Sequence, residues 1–286
     1  MIKRPESVSI RPSNVKLNLT DSIPKIWNRD DYMTTYVGNA LSLLFPEGES
    51  FFVDSVKYFQ SKIEDPKLKE DVKGFIGQEN MHSLNHITLN NYFSEHGYGW
   101  VVHFSQWYMK VTTRALRWLP KRTQLATTVG FEHMTATVSE VFFSRPDVIN
   151  YQHPQIRPIF IWHCIEEIEH KDVAFNVYNL VGGHYLERVF GFFVAFLFMN
   201  FSMALFISLF AVKDLSFLNP VALIRGLWIQ FGWNGFFNPI FPKSLKALKP
   251  SFHPWEEDSS EVIVFWKQKL KKLEEENALY FDKRAS

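Results

Sequence analysis

The sequence predicts an all-α fold, a helical bundle with additional helices followed by a C-terminal hydrophobic, membrane-associated segment. Three observations carry this. Apolar residues recur at helical spacing in successive windows punctuated by proline and glycine, no segment alternates as a strand between hairpin turns, and one run of 24 residues has no charge. At 286 residues the chain is long enough to bury a sizeable core.

The elements follow in order. Residues 1–30 are polar and proline-punctuated and read as an arm. The pattern gives a helix from Asp30 to Leu44, stopped by Pro46, and PEGES (46–50) turns into a second helix. That helix carries Phe52, Val53, Val56, Tyr58 and Phe59 on its apolar side. Pro66 disfavours helix at the residue before it, so IEDPKL (63–68) is a break. A third helix is expected from Leu68 to Phe93, ending before Gly97 and Gly99, then another over 100–118, interrupted by Pro120. Lys121–Phe143 is the next helical window. The stretch 144–158 reads as a loop, and Ile159–Leu180 as a helix closed by Gly182 and Gly183.

Val189–Val212, between Arg188 and Lys213, is the uncharged run. A bilayer span needs roughly 20 mostly apolar residues, so this one suffices. A buried core helix is rarely apolar on every side, whereas phenylalanine recurs here on all faces. Residues 226–242 are also uncharged but contain glycine, asparagine and proline. They suit a re-entrant or interfacial segment with Trp228 and Trp233 at headgroup depth. Lys243, Lys246 and Lys249 follow. If both stretches cross as a hairpin, bundle and basic tail share the cytoplasmic side of the inner membrane; a single amphipathic docking region is the alternative. Asp258–Lys283 reads as a solvated helix. The expected organisation is therefore a bundle with its arm (1–185), a membrane-associated segment (186–250) and a charged C-terminal helix (251–286).

Composition narrows the function. There are 31 Lys and Arg against 30 Asp and Glu, with no basic run interleaved with aromatics, which argues against nucleic acid. One cysteine, Cys164, permits no internal disulfide and fits a reducing compartment as a small buried residue. The proline-broken, charged N-terminus does not read as a secretory signal.

The chemistry lies in two stretches. QENMHSLNH places Glu79, His82 and His86 on one helical face, and HCIEEIEH does the same for His163, Glu167 and His170. Each contains Glu-x-x-His, as Glu79–His82 and Glu167–His170. That pair of motifs is the one used by ferritin-like di-iron and di-manganese carboxylate bundles, whose other two helices each add one inward glutamate. Glu132 fills one of these places, near mid-helix and followed by the small Thr135 and Ala136, with Glu140 the second choice. Glu49 fills the other, ahead of Glu47, which falls in the turn. Converging carboxylates without cations would repel one another, so hard ions such as iron, or manganese, offset their burial. His163 is one turn before Glu167 and reads as a seventh ligand. His86, one turn past His82, serves as a ligand or as a hydrogen-bond partner behind one, and Glu166, Glu169 and Asp172 as outer acceptors or solvated charge. His103, His133 and His184 receive no role.

With these residues in view, FPEGESFF, FIGQENMHSLNH, the Glu132 helix, WHCIEEIEHKDVAFNVY and KPSFHPW resemble a bacterial family described as predicted metal-dependent hydrolases, over most of the chain. The ligand helices alone also resemble di-iron enzymes of the p-aminobenzoate N-oxygenase type. That second resemblance implies His163 as a metal ligand and oxygen chemistry.

The reading taken from these is a non-haem di-iron oxidase or oxygenase, with two iron ions (or manganese), O2 as co-substrate and an electron donor. Its substrate would be an apolar small molecule or lipid delivered from the membrane, and a homodimer is compatible with it. The alternatives are a dinuclear metal-dependent hydrolase, and a non-catalytic metal-binding, membrane-tethered protein.

Overall fold

The structure, a computed structural model, describes residues 2–276 except 12–16, 18, 21 and 22. The last part of the helix expected over Asp258–Lys283 lies outside the described residues. Among the described residues no strand forms; the pairing of Asn28 with Gln152 is an isolated bridge.

The helices are α1 (Tyr32–Lys57), α2 (Pro66–Phe93), α3 (Gly99–Leu116), α4 (Lys121–Phe143), α5 (Pro146–Ile149), α6 (Arg157–His170), α7 (Val173–Leu180), α8 (Tyr185–Lys213), α9 (Pro220–Phe231), α10 (Ile240–Ser244) and α11 (Ser260–Glu276). Starts follow local chemistry. Asp31 and Asp65 accept the backbone N–H of Thr34 and Leu68, capping α1 and α2, and Pro66 stands in the first turn of α2, where its missing N–H costs nothing. A one-turn π segment, Ser94–Tyr98, joins α2 to α3 around Gly97, whose φ of +100° is a conformation side chains disfavour.

Pro46 does not stop a helix. It lies inside α1, and PEGES is helical rather than a turn. A helix-interior proline leaves the carbonyl four residues earlier without its donor. Here that carbonyl belongs to Ser42 and accepts the Asn90 side-chain amide of α2 at 2.9 Å. The cost of the lost bond is met from the neighbouring helix.

Two other boundaries differ from expectation. The loop at 144–158 contains the short α5. The single helix expected over Ile159–Leu180 is divided at Lys171 and Asp172 into α6 and α7. Both charges are buried and both find partners off the helix axis, Lys171 with Glu140 at 3.0 Å and Asp172 with Arg4 at 3.7 Å.

The architecture is an all-α bundle in which α1 packs along α2, and α4 packs against α6, α7 and α1. The core between them is rich in aromatic and branched side chains, among them Tyr36, Phe51, Phe75, Leu125 and Ile168. α8 lies along α4 and also touches α1, α9 lies on α1, and α11 covers α6.

α8 is long and apolar enough to cross a membrane. Gly191, Phe192, Ala195, Met199, Ser202, Met203, Phe206 and Phe210 face inward, whereas Phe190, Phe193, Leu197 and Phe201 are exposed. Its two-sided apolarity therefore has two causes, one face packed on the bundle and the other turned outward. The inner face comes very close to α4. A Cβ at Gly191 would stand 2.5 Å from the Ala126 backbone, and one at Gly130 would stand 2.8 Å from Phe192 Cα.

Candidate metal centre

Four helices aim polar side chains at one point in the bundle. α1 brings Glu49, α2 brings Glu79 and His82, α4 brings Glu132, and α6 brings His163, Glu167 and His170. All seven are almost completely buried. The helical spacing explains the convergence, since offsets of three, four and seven stack side chains on one face.

Glu167 is the hub. Its Oε1 lies 3.1 Å from His163 Nε2, 3.4 Å from His82 Nδ1 and 3.7 Å from His170 Nε2. On one side, Glu49, His82 and His163 offer ligand atoms within 4.8 Å of one another; on the other, Glu79, Glu167 and His170 do the same. Glu132 Oε2 stands 3.4 Å from His170 Nε2, beside the second group.

The outer nitrogens of the three imidazoles are engaged elsewhere. His82 Nε2 lies 3.1 Å from Glu166, which also accepts the Trp162 indole N–H at 2.9 Å. His170 Nδ1 lies 3.0 Å from Gln78 Oε1, and the Gln78 amide donates onward to Glu169 at 2.9 Å. His163 Nδ1 is 2.9 Å from His86 Nε2, His86 Nδ1 is 3.0 Å from Ser42 Oγ, and Ser42 donates to Asn90 at 2.7 Å. Assigning each outer nitrogen as the N–H donor satisfies every pair and leaves the inner nitrogens as bare acceptors, the tautomers that metal ligation needs.

Those inner atoms have no hydrogen-bond partner. Glu49 Oε1, both oxygens of Glu79 and Glu132, Glu167 Oε2, and the inner nitrogens of His82, His163 and His170 are buried and unsatisfied. A lone buried polar atom left unpaired costs about 1–3 kcal/mol, and an ion more. Nine such atoms gathered in one buried cluster are intolerable for a surface-type helix face. Cations of charge two or more would satisfy them together, so the residues fit a metal centre.

The electrostatics agree. Burial and the charge of Glu79 hold the Glu49 carboxyl well above its ordinary range, and burial raises Glu79 and Glu132 as well. Glu167 goes the other way: His170, His163 and His82 outweigh the effect of burial and push it well below that range. Burial alone would lower His82, but Glu166 and Glu167 lift it to about 10, while burial and His82 bring His163 down to about 4.

Residues assigned alternative roles separate cleanly. Glu140 is away from the centre, bonded to Lys171 at 3.0 Å and to Ser259 at 2.7 Å, and drops out as a ligand candidate. It lies eight residues past Glu132, beyond the depth at which the other ligands meet. His86 and Glu166 stand behind His163 and His82 and belong to neither three-residue group. Glu47 is half-buried and outside both groups as well. Glu169 pairs with Lys267 and Asp172 with Arg4, so neither is a solvated charge. Cys164 is buried, and that burial pushes its thiol up to about 12, which removes it as a nucleophile. Gln78, Ser83 and Ser42 were not singled out from sequence. Ser83 donates to Glu49 at 2.7 Å. Trp162 was not singled out either, although its spacing of four residues from Glu166 is the signal that could have found it.

Compared with family models, residues 11–258 match the family described as predicted metal-dependent hydrolase. The chain belongs to that family. No curated protein matches it, and no solved structure does.

Membership in this hydrolase family corrects the oxygenase expectation. The family description corresponds to the alternative reading, metal-dependent hydrolysis, and not to an oxygen-activating di-iron enzyme. O2 as co-substrate and an electron donor were conditional on that expectation and go with it. The physical reason is that the ligand pattern was informative about metal holding and not about the reaction. Carboxylates and imidazoles on two helices hold hard cations for either chemistry.

Proposed function

We propose that the chain is a dinuclear metal-dependent hydrolase working at a membrane surface. The observation that carries this reading is Glu167, whose one oxygen sits among three inward imidazoles, between two three-residue ligand groups in a chain of the hydrolase family. Glu49, His82 and His163 would hold one ion. Glu79, His170 and Glu132 would hold the other, with Glu167 between them. A donor set of four carboxylates and three imidazoles, with no thiolate, favours iron or manganese.

Two adjacent bound cations lower the pKa of water and polarise the oxygen of a scissile bond. The protein's own work is to hold and seal. Phe75 packs edge-on against His170, Trp162 against His82, and Phe45 against His163 with ring centroids 4.4 Å apart. Glu166, Gln78 and His86 fix the three imidazole orientations from behind. The ligand side chains are all but completely buried, which strengthens every charge interaction among them.

Residues 186–250 are the membrane-associated part in this reading, with the bundle on the cytoplasmic side. An apolar or lipid-like substrate suits that placement.

The test is metal analysis of the purified protein beside the double variant Glu167→Ala, His170→Ala. About two equivalents in the native chain, and loss of both in the variant at unchanged helicity, are expected. Hydrolytic turnover should continue without O2 or reductant. Unchanged metal stoichiometry in the variant would refute the centre.

A further inference from the structure

The metal centre is not sealed on every side. A cavity of about 60 Å³ ends on His163 and Glu167, and a smaller one of about 30 Å³ ends on Glu49. Their walls are otherwise mostly apolar, from Phe45, Val138, Phe142 and Phe52. A third chamber of about 560 Å³ lies farther out, between α8 and residues 231–244. The small inner cavity shares Leu41, Val138, Met199 and Phe236 with the outer chamber, so one wall is common to both. Met199 of α8 is a lining residue common to the two inner cavities and the outer chamber.

The chemistry of the route is graded. No charged side chain borders the outer chamber, and its polar contributions come from Asn200, Asn238 and Ser244. Its rim includes Phe231 and Phe241, both more than half exposed, next to the outward Phe193, Leu197 and Phe201 of α8. Charge appears at the inner end alone, at the ligand residues. A water needs on the order of 10–15 Å³ of such space, so the inner cavity of about 60 Å³ has room for a small reacting group or a few waters. The outer chamber falls within the roughly 300–1,000 Å³ of ordinary ligand pockets.

We infer that the outer chamber is the binding site for a single long acyl chain, which enters beside α8 and presents its polar head to the metal centre past Met199. This rests on the dinuclear hydrolase reading and adds the substrate class and its path. An apolar chain is desolvated along the outer chamber at about 0.8 kcal/mol per methylene, which drives the head inward to Glu167 and His163. A polar substrate gains nothing from those walls. Met199 suits a junction because its unbranched thioether side chain repacks at low cost.

The experiment measures binding, not turnover. Metal-loaded full-length protein is titrated with cis-parinarate, a fluorescent acyl chain, either free or as parinaroyl-phosphatidylcholine in phosphatidylcholine vesicles. Native protein, Met199→Trp, Leu41→Trp and the outward-facing control Leu197→Trp are compared, each with its metal content and circular dichroism recorded. Saturable one-to-one binding is expected, weakened at least about tenfold in the Met199 and Leu41 variants, which is the loss of about two buried methylenes. Leu197→Trp should match the native protein. Leu41 belongs to α1 and Met199 to α8, so one variant's failure to fold leaves the other decisive. Uptake of the free acid alone assigns a soluble acyl source, and transfer from vesicles assigns the bilayer. Absence of saturable binding from both, or equal affinity in all four proteins at intact metal content, overturns the acyl route and leaves the metal centre standing. A native protein that holds no metal sinks instead the reading on which the route rests.

Discussion

At the scale of single residues, the centre is a set of groups whose charges are wrong for their surroundings until cations arrive. In the metal-free protein Glu49, Glu79 and Glu132 are held above the ordinary carboxylate value of 4.5, and His82 is held at about 10 against 6.5. A group whose pKa is raised by folding stabilises the fold while protonated, and that contribution is lost as pH rises through the folded value. His163, brought down to about 4, has the opposite sign and acts below pH 6.5. Glu167, depressed, acts only on stronger acidification. Above pH 6.5 it is His82 that sets the window, so metal-free protein should lose thermal stability from pH 6.5 to about 10. Metal-loaded protein should hold its Tm over the same interval, because the ions replace the protons. Parallel thermal melts with and without chelator check this. A metal-free melting temperature that rises with pH would contradict the assigned protonation.

At the scale of elements, closeness between helices matters more than their individual propensities. α8 reaches the bundle at Gly191 against Ala126 of α4, and at Gly130 against Phe192. Adding one methyl at Gly191 meets backbone, which cannot rotate away, so the helices must separate. Gly191→Ala should cost about 1–3 kcal/mol by overpacking, seen as a lower midpoint in urea at unchanged slope. The same distinction between local and distant causes decides how much was legible beforehand. Lys121–Phe143 was readable from its own residues, and the structure has a helix over the same bounds. So was the clustering of Glu79, His82, Glu167 and His170, because helical spacing alone puts each pair on a face. Pro46 was misread because its compensation comes from Asn90, on the next helix, which no local rule reaches. The break after His170 likewise depends on Glu140 and Arg4, which are far away in sequence. His86 could be placed on the right face, but whether it touches a metal or stands behind His163 is a difference of one imidazole width, set by packing. The reaction was least legible of all, because ligand geometry is shared between oxidation and hydrolysis.

At the scale of the whole molecule, the proposed membrane placement raises the question of which surface would make the attachment. The outward side of α8 and its neighbour α9 expose Phe193, Leu197, Phe201, Val221, Ile224, Trp228 and Phe231, and Trp233 beyond α9 is 89% exposed. Electrostatic attachment through the following lysines is the competing cause, at about 1 kcal/mol for each basic residue near an anionic surface. Those lysines are already matched, however. Lys243 and Lys246 pair with Glu257, and Lys249 pairs with Glu256. Two carboxylates against three ammonium groups leave one net charge, whereas burying a single large apolar side chain contributes about 1.5–3 kcal/mol. Several such side chains outweigh that residue of charge. The protein should therefore float with neutral phosphatidylcholine vesicles and stay with them at 1 M salt, where the screening length falls to about 3 Å. Aspartate at Ile224 and Phe231 together should shift most of the protein to the bottom of the gradient. Release by salt alone, or flotation only with anionic lipid, would mean that charge and not the apolar flank makes the attachment.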